Sequence, residues 1–89
     1  ISGEAAKQVG VLMDEISISH QLIAITHQPQ IAAKADQHLF VFKKEIDGKI
    51  NTGIMELKGE ERVVSIAQMM AGVNPSDAVL ASAKEMMKS

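Results

Sequence analysis

The stretch LIAITHQPQIAAKAD, Leu22 to Asp36, decides how the rest of the chain is read. Gln21 to Thr26 is a continuous apolar run, too short for a helix of its own and rich in Ile, which predicts a buried, parallel strand. Pro29 fits the first turn of a helix, where its missing N–H costs nothing, and predicts a short helix from Gln28 to about Ala35. Thr26 and His27 therefore fall where a strand hands over to a helix. In open α/β sheets ligands bind beyond the carboxyl ends of the parallel strands. An imidazole placed there can donate to a phosphate oxygen while its second nitrogen is fixed by a neighbour. Position alone still favours a plain surface-loop histidine.

Upstream, Ser2 is a candidate cap and Glu4 an acid in the first turn, while Ala5, Val9, Leu12, Met13 and Ile16 recur at spacings of three and four. One apolar face on a helix from Gly3 to about Ser19 follows. Downstream, HLFVFKKE (His38 to Glu45) and KINTGIMEL (Lys49 to Leu57) flank Asp47-Gly48, a dipeptide suited to a tight turn because both residues accept positive φ. They predict an antiparallel hairpin. From Glu60 the period is helical again, with Val63, Ile66, Ala67 and Met70 on one face and Gly72 as the stop. Asn74-Pro75-Ser76-Asp77 offers a cap, a first-turn proline and an acid for a last helix to about Lys88, with Val79, Leu80, Ala83, Met86 and Met87 apolar. The order is helix, strand, helix, hairpin, helix, helix, an α/β arrangement in one domain spanning residues 1–89.

Composition narrows the function classes. The 89 residues are 46% apolar but only 2% aromatic, so Ile, Leu, Val, Ala and six Met must supply the core. Nine basic against eleven acidic residues leave no electrostatic footprint for nucleic acid. Without cysteine, neither a disulfide nor a thiolate metal site is available. No apolar run approaches the roughly 20 residues that span a bilayer. The chain opens on Ile1 with no targeting pattern and enters a helix at once, as expected of a piece of something longer.

GVLMDEIS, Gly10 to Ser17, imitates a Walker B motif, an apolar strand ending in a metal-holding Asp and a water-polarising Glu. Periodicity opposes it: at 100° per residue Glu4, Lys7, Asp14 and Glu15 fall opposite the apolar face, as on a solvated helix. His20, His27 and His38, at spacings of seven and eleven, fit no local metal-ligand pattern.

AITHQPQIAAKADQHLFVFK, Ala24 to Lys43, resembles the segment around the switch histidine of the RecN family, bacterial DNA repair proteins related to the SMC and ABC ATPases. There a strand ending Ile-Thr-His is followed by a Pro-Gln-Ile-Ala-Ala helix and an antiparallel hairpin. ISGEAAKQVG is similar to the passage from the D-loop into a helix, EERVVSIAQMMAG to the family's Glu-Glu-Arg helix, and AVLASAKEMM to its C-terminal helix. Ala71-Gly72 stands where family members usually carry a second Gly. No GxxxxGK[ST] phosphate loop, LSGG-type signature or Walker B strand occurs in the chain.

The resemblance implies a C-terminal fragment of a P-loop ATPase head of the ABC/SMC type. It implies ATP and Mg²⁺ as cofactors of the full-length protein, with none expected for this fragment, which alone is expected to be inactive. His27 matches the switch histidine; Ser2 and Gly3 match the end of the D-loop; Thr26, Gln28 and Pro29 would shape the histidine's loop, and Asp36 and His38 look like turn residues. The implied partners are a second head in a homodimer and DNA held by other parts of the protein, in the bacterial cytoplasm and nucleoid, away from any membrane. An independent α/β interaction module and the equivalent piece of another SMC- or ABC-type head are the alternatives. In such heads the strand matching Gln21–Thr26 lies between two strands that this chain lacks. Bare strand edges invite pairing. The chain is therefore expected to dimerise by strand addition or exchange, or to pair Gln21–Thr26 with His38–Lys44.

Overall fold

Ser2 accepts a hydrogen bond from the Ala5 amide at 3.1 Å and so starts α1, Gly3–Ser17, in the computed structural model, which describes residues 2–88. Five further elements match the expected order: α2 (Pro29–Ala32), the hairpin β1 (His38–Ile46) and β2 (Lys49–Leu57), then α3 (Gly59–Ala71) and α4 (Asp77–Lys88). α1 ends two residues earlier than expected, and α2 is a single turn.

The strand expected at Gln21–Thr26 is not formed. The sheet has two strands, β1 and β2, and residues 21–28 carry no regular element. Pairing with His38–Lys44 is absent as well, since β1 pairs antiparallel with β2 from His38↔Leu57 to Ile46↔Lys49. A strand gains its hydrogen bonds from neighbours, and none is offered to this segment among the described residues. Its side chains stand in solvent, Ile23 at 81% and Ile25 at 102% relative exposure.

The hairpin turns where its chemistry allows, with Asp47 at φ 50° and Gly48 at φ 76°, both in the left-handed region of a type I′ turn. On the face that holds buried His38 and Leu57, the Phe40 and Phe42 rings stack with centroids 6.3 Å apart. The ring of Phe42 lies over its cross-strand partner Gly53, where an added Cβ would sit 2.7 Å from Cε2. The opposite face, with Leu39, Val41, Ile50 and Ile54, is exposed.

The helices pack in sequence, α1 on α2, α2 on α3 and α3 on α4. Ala33, Val63, Ile66, Ala67 and Ala83 form the buried core, with half-buried Met69, Met70, Met86 and Met87 around it. The core faces expected on α3 and α4 are thus the ones used. Ser76 caps α4 through its hydroxyl, 3.3 Å from the Val79 amide, in place of the expected Asn74, so Pro75 precedes the cap.

α1 has the expected period but turns a different face inward. Ala6 and Gly10 are buried, whereas Val9, Leu12 and Ile16 are exposed. Small residues permit the approach: a Cβ on Gly10 would meet the Gln30 carbonyl oxygen at 3.0 Å and the Ile31 Cα at 3.6 Å. Gly10→Leu is expected to force α2 away and cost about 1–3 kcal/mol, read as a lower urea midpoint at unchanged m-value.

These uncovered faces have a global measure. The chain exposes 6531 Å², against about 5,100 Å² expected for a folded monomer of its 9.6 kDa mass. Its radius of gyration is 14.2 Å, against about 12 Å for a compact domain of this length.

Candidate functional site

The loop from Thr26 to Gln28 is built by two local devices. The Thr26 hydroxyl accepts from the Gln28 amide at 3.0 Å, a side-chain turn that closes around His27. Gln28, at φ −87° and ψ 116°, is the backbone cap of α2, and its carbonyl accepts from the Ile31 and Ala32 amides at 3.1 and 3.0 Å. Pro29 at the first helical position fixes the exit. His27 itself is exposed, and its imidazole has no hydrogen bond or ion pair among the described residues.

Behind the loop, α2 is held on two sides by packing. Gly10 of α1 lies against it, and Ala33 at its end is buried in the core formed with α3 and α4. A third hold is polar. Nη2 of Arg62, on α3, lies 3.2, 3.4 and 2.5 Å from the carbonyl oxygens of Ala32, Ala33 and Ala35. A cationic donor on the last carbonyls of a helix satisfies groups that have no partner within it. Sequence reading passed over this role; the signal was that Arg62 is the only arginine in the chain.

His38 opens β1, where the expected hairpin begins, and is 8% exposed; it is not the turn residue that the resemblance implied, while Asp36 does lie in a bend and is exposed. Burial, and then the nearby Arg62 charge, push the His38 imidazole below its usual pKa and favour its neutral form. Its Nδ1 and the Nε of Arg62 are buried without a hydrogen-bond partner.

Ser2 and Gly3 lie at the start of α1, exposed, with nothing within 4 Å of a Cβ built on Gly3. No hydrogen bond or ion pair joins them to Thr26, His27 or Gln28 among the described residues. Asp14 and Glu15 are exposed on α1, so GVLMDEIS is helix and not a Walker B strand. The Nδ1 of His20 is 3.0 Å from the Ser19 hydroxyl, and no group of three His, Asp or Glu among the described residues is placed to hold a metal ion.

Shallow hollows lie between the described residues, and two of them stand out. One of about 460 Å³ runs between Phe40, Met55 and Leu57 of the hairpin and Glu61, Val64 and Gln68 of α3. The other, of about 350 Å³, is lined by Lys7, Gln30, Ser82, Glu85 and Met86. Neither reaches His27, which stands on an open edge. No helix among the described residues is long and apolar enough to cross a membrane.

No family model matches the chain. It is 40% identical over 87 residues to the DNA repair protein RecN of Halalkalibacterium halodurans, covering 98% of this chain and 15% of that protein. The RecN proteins of Bacillus subtilis and Rickettsia prowazekii are each 39% identical, over 99% and 98% of this chain and 15% and 16% of their own lengths. The chain thus spans about 15% of the length of the curated relatives it matches. With that identity sustained from end to end, it belongs to the RecN family, as the counterpart of one short segment.

Proposed function

We propose that the chain is the C-terminal segment of the ATPase head of a RecN-like protein that acts in DNA double-strand break repair and recombination. In this reading the longer protein binds ATP with Mg²⁺ between two heads. His27 faces the γ-phosphate, Ser2 and Gly3 end the D-loop, and Thr26 and Gln28 hold the histidine's loop. DNA is engaged by other parts of the protein, in the bacterial cytoplasm at the nucleoid. The observation that carries the reading is His27 itself. It is exposed and unpartnered in a turn closed by the Thr26 hydroxyl and followed by Pro29, in a chain matched across its length by proteins named for DNA repair.

Such an imidazole has a donor to spare for a ligand outside the chain. Steady-state ATP hydrolysis by the full-length protein, with and without His27→Ala, is the test. Wild-type turnover in the variant would remove the reading's central residue. Asp14→Asn and Glu15→Gln, on the solvated face of α1, are expected to leave hydrolysis unchanged and stability within about 0.5 kcal/mol. A hundredfold loss with Glu15→Gln would give the acidic pair a catalytic role that its helical setting does not support.

A further inference from the structure

Resting on that reading, we propose that Arg62 is a positioning residue for His27, acting from a different helix through the single turn of α2. The contacts form one continuous path. Nη2 of Arg62 binds the carbonyls of Ala32, Ala33 and Ala35 at the far end of α2. The Ala32 amide donates to the Gln28 carbonyl, the Gln28 amide donates to the Thr26 hydroxyl, and His27 lies between those two residues.

A helix of four residues cannot hold its own position, because it lacks the length that makes helix formation favourable. Its place is set by what grips it. Gly10 and Ala33 hold α2 by packing alone, whereas the Arg62 guanidinium adds charge-assisted hydrogen bonds, its Nη2 shared among three carbonyls at the end of the turn. Loss of that grip lets α2 shift as a unit and carries the His27 loop with it. A displacement near 1 Å far from the reacting atoms is enough to cost on the order of 100-fold in rate.

Arg62→Met keeps the apolar stem and removes the donor, while Arg62→Lys returns a cationic donor. In the full-length protein, Arg62→Met is expected to lower kcat for ATP hydrolysis roughly 10- to 100-fold with KM for ATP within about twofold, and Arg62→Lys, which returns the charge without the planar fork, to recover only part of that loss. The double variant Arg62→Met/His27→Ala is expected to be no slower than His27→Ala alone, since one acts through the other. Losses that multiply in the double variant would overturn the proposal, as would a kcat within twofold of wild type in Arg62→Met. No recovery with Arg62→Lys, or a KM that rises in step with the fall in kcat, would overturn it too. Should Arg62→Met fail to fold, Arg62→Lys decides alone: a kcat more than twofold below wild type but above that of His27→Ala, at unchanged KM, supports the proposal, and a kcat within twofold of wild type or as low as His27→Ala overturns it. Full activity in His27→Ala would instead refute the parent reading, which separates the two failures.

Discussion

His27→Ala is expected to lower ATP hydrolysis by the full-length protein roughly 10²- to 10³-fold, with little change in ATP binding. The asymmetry follows from where the imidazole would act. A donor aimed at charge that grows in the transition state contributes most there, typically about 2.7–4 kcal/mol, and little to the ground state. The main grip on nucleotide phosphates comes from a phosphate loop's backbone amides and lysine, and this chain has no such loop. Hydrolysis at saturating ATP gives the first quantity and equilibrium titration of nucleotide the second. An equal loss in both would assign His27 to binding. The Thr26 hydroxyl bond to the Gln28 amide makes the substitution a clean probe, because the loop's shape does not depend on the imidazole.

The second large effect concerns association of the 89-residue chain alone. Ile23 and Ile25 are at 81% and 102% exposure on a segment with no strand partner, and Val41 and Ile54 cover the outer face of a hairpin whose edges are bare. Apolar side chains beside unpaired N–H and C=O groups are the ingredients of strand addition. Light scattering on a dilution series is expected to give a mass above 9.6 kDa that falls on dilution. Replacing Ile23 and Ile25 by Asp removes two apolar contacts of about 1.5–3 kcal/mol each, which weakens the dimer by roughly 100-fold or more. A wild-type mass of 9.6 kDa at millimolar concentration would show that these surfaces do not recruit a second copy.

How far the residues disclosed the fold depended on whether the determinant was local. Asp47-Gly48 specified its turn because both dihedrals are properties of those two residues. The faces of α3 and α4 were legible because each packs on the other through the residues its periodicity displays, Ile66, Ala67 and Ala83 among them. α1 misled because its partner is a single turn of helix that admits only Ala6 and Gly10, leaving Val9, Leu12 and Ile16 uncovered. Gln21–Thr26 has a strand's composition, but a ladder belongs to two segments at once and composition shows only one. Of the candidate site, the histidine and its Thr-Gln frame could be read from order along the chain. The Arg62 tether could not, because about 30 residues separate the guanidinium from the carbonyls it holds.

Amide hydrogen exchange at Gln21–Thr26, compared between the 89-residue chain at low concentration and the full-length protein, tests most directly whether this is one piece of a larger ATPase head. In the isolated chain these amides have no ladder partner and should exchange at nearly the unfolded rate. In the full-length protein, strands supplied from outside the chain should flank the segment, hold His27 at its end and slow exchange on the order of 100-fold or more. Equal, unprotected exchange in both would contradict the account: the segment would be a loop in its own right, and His27 a histidine on it.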